Sequence, residues 1–172
     1  MEKALGFFLE SASPGAELDF AGDLINRVVD GVNGPITALH VCRGNWSQKE
    51  NVLLAGSYES LVPYFARMKV KQFVLEYATP RAGSVQALRG LPDGTLIGFG
   101  AVNPRTEEVE HRDEIAGHVE GLVGVVSPDR LHLNPDCGFG TFADRPVATT
   151  ASAFQKLFGL SQTAVLLPRE YE

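Results

Sequence analysis

Four short apolar runs punctuate the chain: Ile36–Cys42, Gln72–Ala78, Thr95–Val102 and Arg130–Asn134. Each is strand-length and ends in a polar or Gly/Pro-containing turn, which predicts buried strands. Helical stripes precede two of them: Leu61, Tyr64, Phe65 and Met68 before the second, Ile115, Val119, Leu122, Val123 and Val126 before the fourth. Phe20–Val32 reads as a helix entering the first strand, and Phe7–Leu9 as a candidate extra strand. Asp93-Gly94 supplies a turn just ahead of the third. Strands alternating with helices predict an α/β fold with a parallel sheet and helices outside it.

The strands are two-faced. Leu39 and Val41 alternate with Ala38, His40 and Cys42, and Phe73, Leu75 and Tyr77 alternate with Val74, Glu76 and Ala78. One face is bulky and suits a helix layer, while the other is small or polar, as in a barrel interior. The exits also echo one another as Thr79-Pro80-Arg81, Asn103-Pro104-Arg105 and Asn134-Pro135-Asp136, the mark of repeated βα units. A (β/α)₈ TIM-type barrel needs about 250 residues. The expectation is therefore a partial barrel of about four βα units, one half-barrel domain over residues 1–172. Its sheet edges require a cover, which points to a homodimer or to a complex with a complementary half-barrel.

Composition narrows the function. Net charge is −6 without a Lys/Arg run, which argues against a basic nucleic-acid-binding face. No apolar run reaches the 18 residues of a membrane span. The opening MEKALGFFLESASPGAELD lacks the core of a signal peptide, so the expected location is cytoplasmic. There, the two cysteines are expected to be metal-bound or free rather than bridged.

Both cysteines stand where strands run out. His40 and Cys42 share a face by their i, i+2 spacing, and Glu76 and Cys137 end later runs. Functional residues of barrels gather at that end. Two thiols, an imidazole and a carboxylate form a soft set suited to Zn²⁺. Each residue also has a plainer reading: Glu76 can pair with Arg81, and Cys137 can be a small buried residue in a Gly-rich turn. Arg81 and Arg105 are candidate substrate-binding residues for an anionic group, or structural partners of Glu76 and Glu107. Asp136 is a candidate supporting residue, orienting His40 or fixing the loop, and equally a cap for the following turn.

The strings HVCRGNW, LEYATPRAG, GAVNPRTEEVE and LNPDCGFGTFADRPV occur in order between Ala21 and Leu167. Together they resemble the catalytic domain of cobalamin-independent methionine synthase and its shorter relatives, with Asn134–Gly138 the most specific piece. The resemblance implies the C-terminal half of a (β/α)₈ barrel with zinc held by His40, Cys42, Glu76 and Cys137. It implies methyl transfer from a folate-like donor to a homocysteine-like thiol. A thiol–epoxide transferase of the coenzyme M type, or a truncated paralogue or subunit that binds zinc but needs a partner half, are the alternatives. Two departures stand out: the family's proton-handling His aligns with Val102 or Asn103, and the groups that hold the amino-acid part of homocysteine belong to the other half-barrel.

Overall fold

A computed structural model describes residues 13–122, 124–140 and 142–170, with side chains up to Val165. The elements run α1 (Pro14–Val29), β1 (Ala38–Val41), α2 (Val62–Phe65), β2 (Gln72–Glu76), β3 (Leu96–Val102), α3 (Arg112–Glu120), β4 (Leu131–Pro135) and α4 (Thr150–Glu170). The four strands form one parallel sheet in the order β1-β2-β3-β4. Strand order follows chain order and never reverses, so the sheet has no topological switch point and is wound in one sense, as a barrel wall is. All four expected strands are present, each trimmed or shifted by one or two residues at its ends. The candidate strand Phe7–Leu9 and the stripe residue Val123 lie outside the described residues.

Local chemistry sets the helix bounds. Helix α1 starts six residues before the apolar stripe suggests, because Ser13 caps it through its hydroxyl to Ala16 N and Pro14 fits the first turn. The stripe Leu61–Met68 is one α-helical turn continued by i→i−3 bonds from Arg67 and Met68. Ile115, Val119, Leu122 and Val126 are all buried. No helix among the described residues is long and apolar enough to cross a membrane.

The bulky strand face is the core. Phe73, Leu75, Ile97, Phe99 and Ala101 pack with Val62, Phe65, Ile115, Val119 and Leu160 from three helices, and Ile25 and Val29 of α1 lean on the same cluster. The opposite face carries His40, Gln72, Val74, Glu76, His132 and Asn134. It closes down over β3, where a Cβ on Gly100 would overlap Asp136 Oδ1 and the Leu75 carbonyl. The glycine lets Asp136 lie flat across the sheet.

Candidate metal centre

The candidate ligands leave the sheet at its C-terminal rim, from three of its four strands. His40 lies in β1 and Cys42 directly follows it, Glu76 ends β2, and Cys137 stands two residues past β4. Ligand atoms of His40, Cys42 and Cys137 lie within 4.8 Å of one another. His40 Nδ1 donates to the Val74 carbonyl at 3.0 Å. Nε2 is then the nitrogen turned toward Cys137 Sγ, 3.5 Å away. A backbone acceptor on the far nitrogen is what orients a metal-ligating imidazole and sets its tautomer.

Glu76 is buried and borders this group. The Cys137 thiol donates to its Oε1 at 3.2 Å. Its Oε2 accepts the Arg43 N–H at 3.1 Å and forms an ion pair with Arg81 Nη2 at 3.1 Å. Glu76 thus meets both expected partners, the sulfur and the arginine. Three of the four expected ligands form the tight group, and the fourth reaches it through Cys137. Burial pushes the Cys137 thiol up, and the neighbouring Glu76 carboxylate and Cys42 push the same way. A thiolate at Cys137 therefore needs a cation beside it. Two sulfurs, an imidazole nitrogen and a carboxylate oxygen are the donor set of zinc, and these residues fit it.

Behind the ligands lies an ionic cluster. Asp136 is fully buried; its Oδ1 accepts the Tyr77 and Ala78 N–H groups at 2.9 Å each, and its Oδ2 accepts Arg105 Nη2 at 3.2 Å. Burial lifts its carboxyl to about 6, against the pull of those partners. Asp136 therefore fixes the exit of β2; the orienting of His40 falls to Val74. Arg105 is fully buried and committed to Asp136 and Glu50, with Glu76 3.8 Å away. That corrects the pairing with Glu107, which instead accepts from Thr149. Arg81 is likewise engaged, its Nη1 donating to the Leu54 carbonyl and its Nε 2.7 Å from Glu50. Neither guanidinium is presented as a free anion receptor among the described residues.

Glu50, which holds both arginines, opens a short 3₁₀ turn in a polar stretch without periodicity. No sequence signal marks it, since the buried acids Glu76 and Asp136 already balance the two arginines in number. Burial pushes the Glu50 carboxyl up, but the Arg105 hydrogen bond and the charges of Arg105 and Arg81 hold it below the usual range. Asn103 Nδ2 also donates to Glu50, and Asn103 N donates to Glu110, which pairs with the buried Lys156 of α4. Tyr58 joins the first two strands, donating to the Val41 carbonyl and accepting the Glu76 N–H, with the Arg43 guanidinium 3.7 Å over its ring. Asn45 ties the Cys42 loop to the Cys137 loop through the Gly138 carbonyl at 2.7 Å. A groove of about 710 Å³ between α3 and α4 is lined by Glu110 but by none of the candidate ligands.

Comparison with known proteins follows the same lines. The family model for the catalytic domain of cobalamin-independent synthase matches residues 21–158. The chain is 33% identical over 154 residues to a methionine synthase of Thermococcus kodakarensis and 32% identical over 157 residues to one of Pyrococcus furiosus. These alignments cover 90% and 91% of this chain but 40% of each relative. The chain thus spans about two-fifths of the length of the curated relatives it matches. In fold it is similar to a B12-independent methionine synthase from Shewanella sp. W3-18-1, solved in complex with selenomethionine. The TM-score is 0.75 at 20% identity, covering 89% of this chain and 44% of that one.

Proposed function

The chain belongs to the cobalamin-independent synthase catalytic-domain family, and from that premise we propose that it is a C-terminal half-barrel domain carrying the zinc-binding part of a methyl-transfer site. The acceptor is a homocysteine-like thiol and the donor a folate-like methyl carrier. The observation that carries this reading is the convergence of His40, Cys42 and Cys137 within 4.8 Å, with Glu76 3.2 Å from Cys137 Sγ.

In this reading His40, Cys42, Cys137 and Glu76 would hold a zinc ion. It would supply the Lewis acid by which a substrate thiol, with a pKa near 8.5, could ionise at neutral pH. The protein's own groups do the rest. Val74 fixes the imidazole plane, Asp136 and Arg105 fix the exits of β2 and β4, and Asn45 draws the two cysteine loops together. The proton-handling His of the resemblance aligns with Val102 or Asn103. Val102 is apolar, and Asn103 spends its backbone N–H on Glu110 and its amide on Glu50, so neither offers an equivalent proton carrier.

A second half-barrel is needed to complete the site. Apolar side chains stand exposed at Phe20, Leu24 and Val28 on α1 and at Phe154, Leu157 and Phe158 on α4. Among the described residues, β1 and β4 each lack a neighbour on one side. The complementary half present in the relatives is the cover we propose, with a second copy of this chain as the alternative. Methyl transfer by this half alone is then expected to be slow or absent.

Elemental analysis of protein purified under reducing conditions tests the metal reading. About one zinc per chain is expected, lost in Cys42→Ser and Cys137→Ser. A metal-free protein with both serine variants indistinguishable from wild type refutes the site. Sedimentation of the same sample tests the cover: a stable monomer that methylates homocysteine unaided refutes it.

A further inference from the structure

The two oxygens of Glu76 have different surroundings. Oε2 is taken by the Arg43 N–H and Arg81 Nη2. Oε1 faces Cys137 Sγ, and Arg105 Nη1 stops 3.8 Å from it, beyond hydrogen-bond reach. Two guanidinium ions therefore border one carboxylate, yet one oxygen is left open toward the sulfurs. Both cations are held from behind by the same residue. Glu50 Oε1 accepts Arg105 Nε at 2.7 Å, and its Oε2 lies 2.7 Å from Arg81 Nε. Asn103 Nδ2 steadies Glu50 Oε1 at 3.2 Å.

Resting on the zinc reading above, we infer that Glu50 is a positioning residue that sets how well Glu76 binds the metal. It occupies the Nε edges of both arginines and so keeps Arg105 off Glu76 Oε1. Glu50 touches no candidate ligand itself and acts only through the guanidinium ions. With Glu50 neutral, both cations are drawn toward the remaining carboxylates, Glu76 and Asp136. Glu76 Oε1 is then less free for the metal, and metal affinity falls.

The test measures zinc affinity by chelator competition, and the visible spectrum with Co²⁺, in wild type, Glu50→Gln, Glu76→Gln and the double variant. Loss of a group that orients a ligand weakens metal binding roughly ten- to hundredfold, and that loss is expected in Glu50→Gln. Its cobalt spectrum is expected to shift toward that of Glu76→Gln. In the Glu76→Gln background the second substitution should add nothing, since the two act on one interaction. Wild-type affinity and spectrum in Glu50→Gln, or an equal loss in both backgrounds, overturns the inference. A wild-type protein that takes up no zinc overturns instead the metal reading on which it rests. Should Glu50→Gln fail to fold, Glu50→Asp replaces it: the shortened carboxylate is expected to give a smaller loss in the same direction, and unchanged affinity overturns the inference.

Discussion

On the helix side of the sheet, Phe73, Leu75, Ile97 and Phe99 are at most 1% exposed and belong to one apolar cluster, with Phe65 stacked on Phe73 and Tyr77 on Phe99. At the C-terminal rim, a few residues farther along the same strands, Glu76, Arg105 and Asp136 are equally buried. Burial of the first kind stabilises the fold in proportion to the apolar area removed from water, about 25 cal/mol per Å². Burial of the second kind gains little overall, because desolvation offsets most of the attraction. The helix side therefore carries the stability. The rim spends part of it to hold charges in fixed places, and that is where the cluster of sulfurs and imidazole lies.

Breaking each kind of contact separates the two. Phe99→Ala removes a 1%-exposed ring stacked on Tyr77 and should lower stability by about 3–5 kcal/mol. Zinc affinity measured well below the unfolding transition should stay near wild type. Urea unfolding beside a zinc titration checks both, and a large drop in affinity would mean that the two sides are coupled.

Arg105→Met keeps much of the side-chain volume but strands Asp136 and Glu50 without their shared cation. Breaking one partner out of a buried pair costs about 3 kcal/mol or more, the lower value being expected because Asp136 can take up a proton. Unlike Phe99→Ala, this variant should also move metal affinity, upward, because it removes the cation that stands 3.8 Å from Glu76 Oε1 and competes for that oxygen. Stability loss with unchanged zinc binding would show the rim charges to be structural only. The smallest effect belongs to Asp19→Asn, which removes the exposed ion pair with Arg67. Such pairs are worth at most about 1 kcal/mol, and thermal unfolding should scarcely move; a larger shift would mean that α1 is anchored by charge rather than by Ile25 and Val29.

Sequence patterning revealed the parts whose chemistry is local. The four strands were legible because Val, Ile, Leu and Phe runs end at Pro and Gly, and the His40–Cys42 spacing fixed a shared face. Helix α4 was not legible, and its burial pattern explains why. The stripe it turns inward is Ser152, Lys156, Leu160 and Thr163, while Phe154, Leu157 and Phe158 face outward. An apolar periodicity search looks for the reverse. Lys156 is buried because Glu110, the Glu108 carbonyl and Thr106 receive its ammonium group, partners that only the folded β3–α3 loop assembles. Glu50 escaped for the same reason: its role exists only where two distant arginines meet.

The strand exits, finally, have a consequence for charge. Thr79-Pro80-Arg81 and Asn103-Pro104-Arg105 both lie past their strands, β2 and β3, whereas Asn134 and Pro135 prove to be the last two residues of β4 and only Asp136 follows it. A wall wound in one sense brings the ends of neighbouring strands to one rim. Arg81, Arg105 and Asp136 gather there, linked through Glu50 and Glu76. In that group, two positive charges face three negative ones, Asp136, Glu50 and Glu76, which leaves −1. Strand ends brought to one rim thus gather an unbalanced negative charge beside two sulfurs and an imidazole, and a cation is the counter-ion that such an arrangement favours.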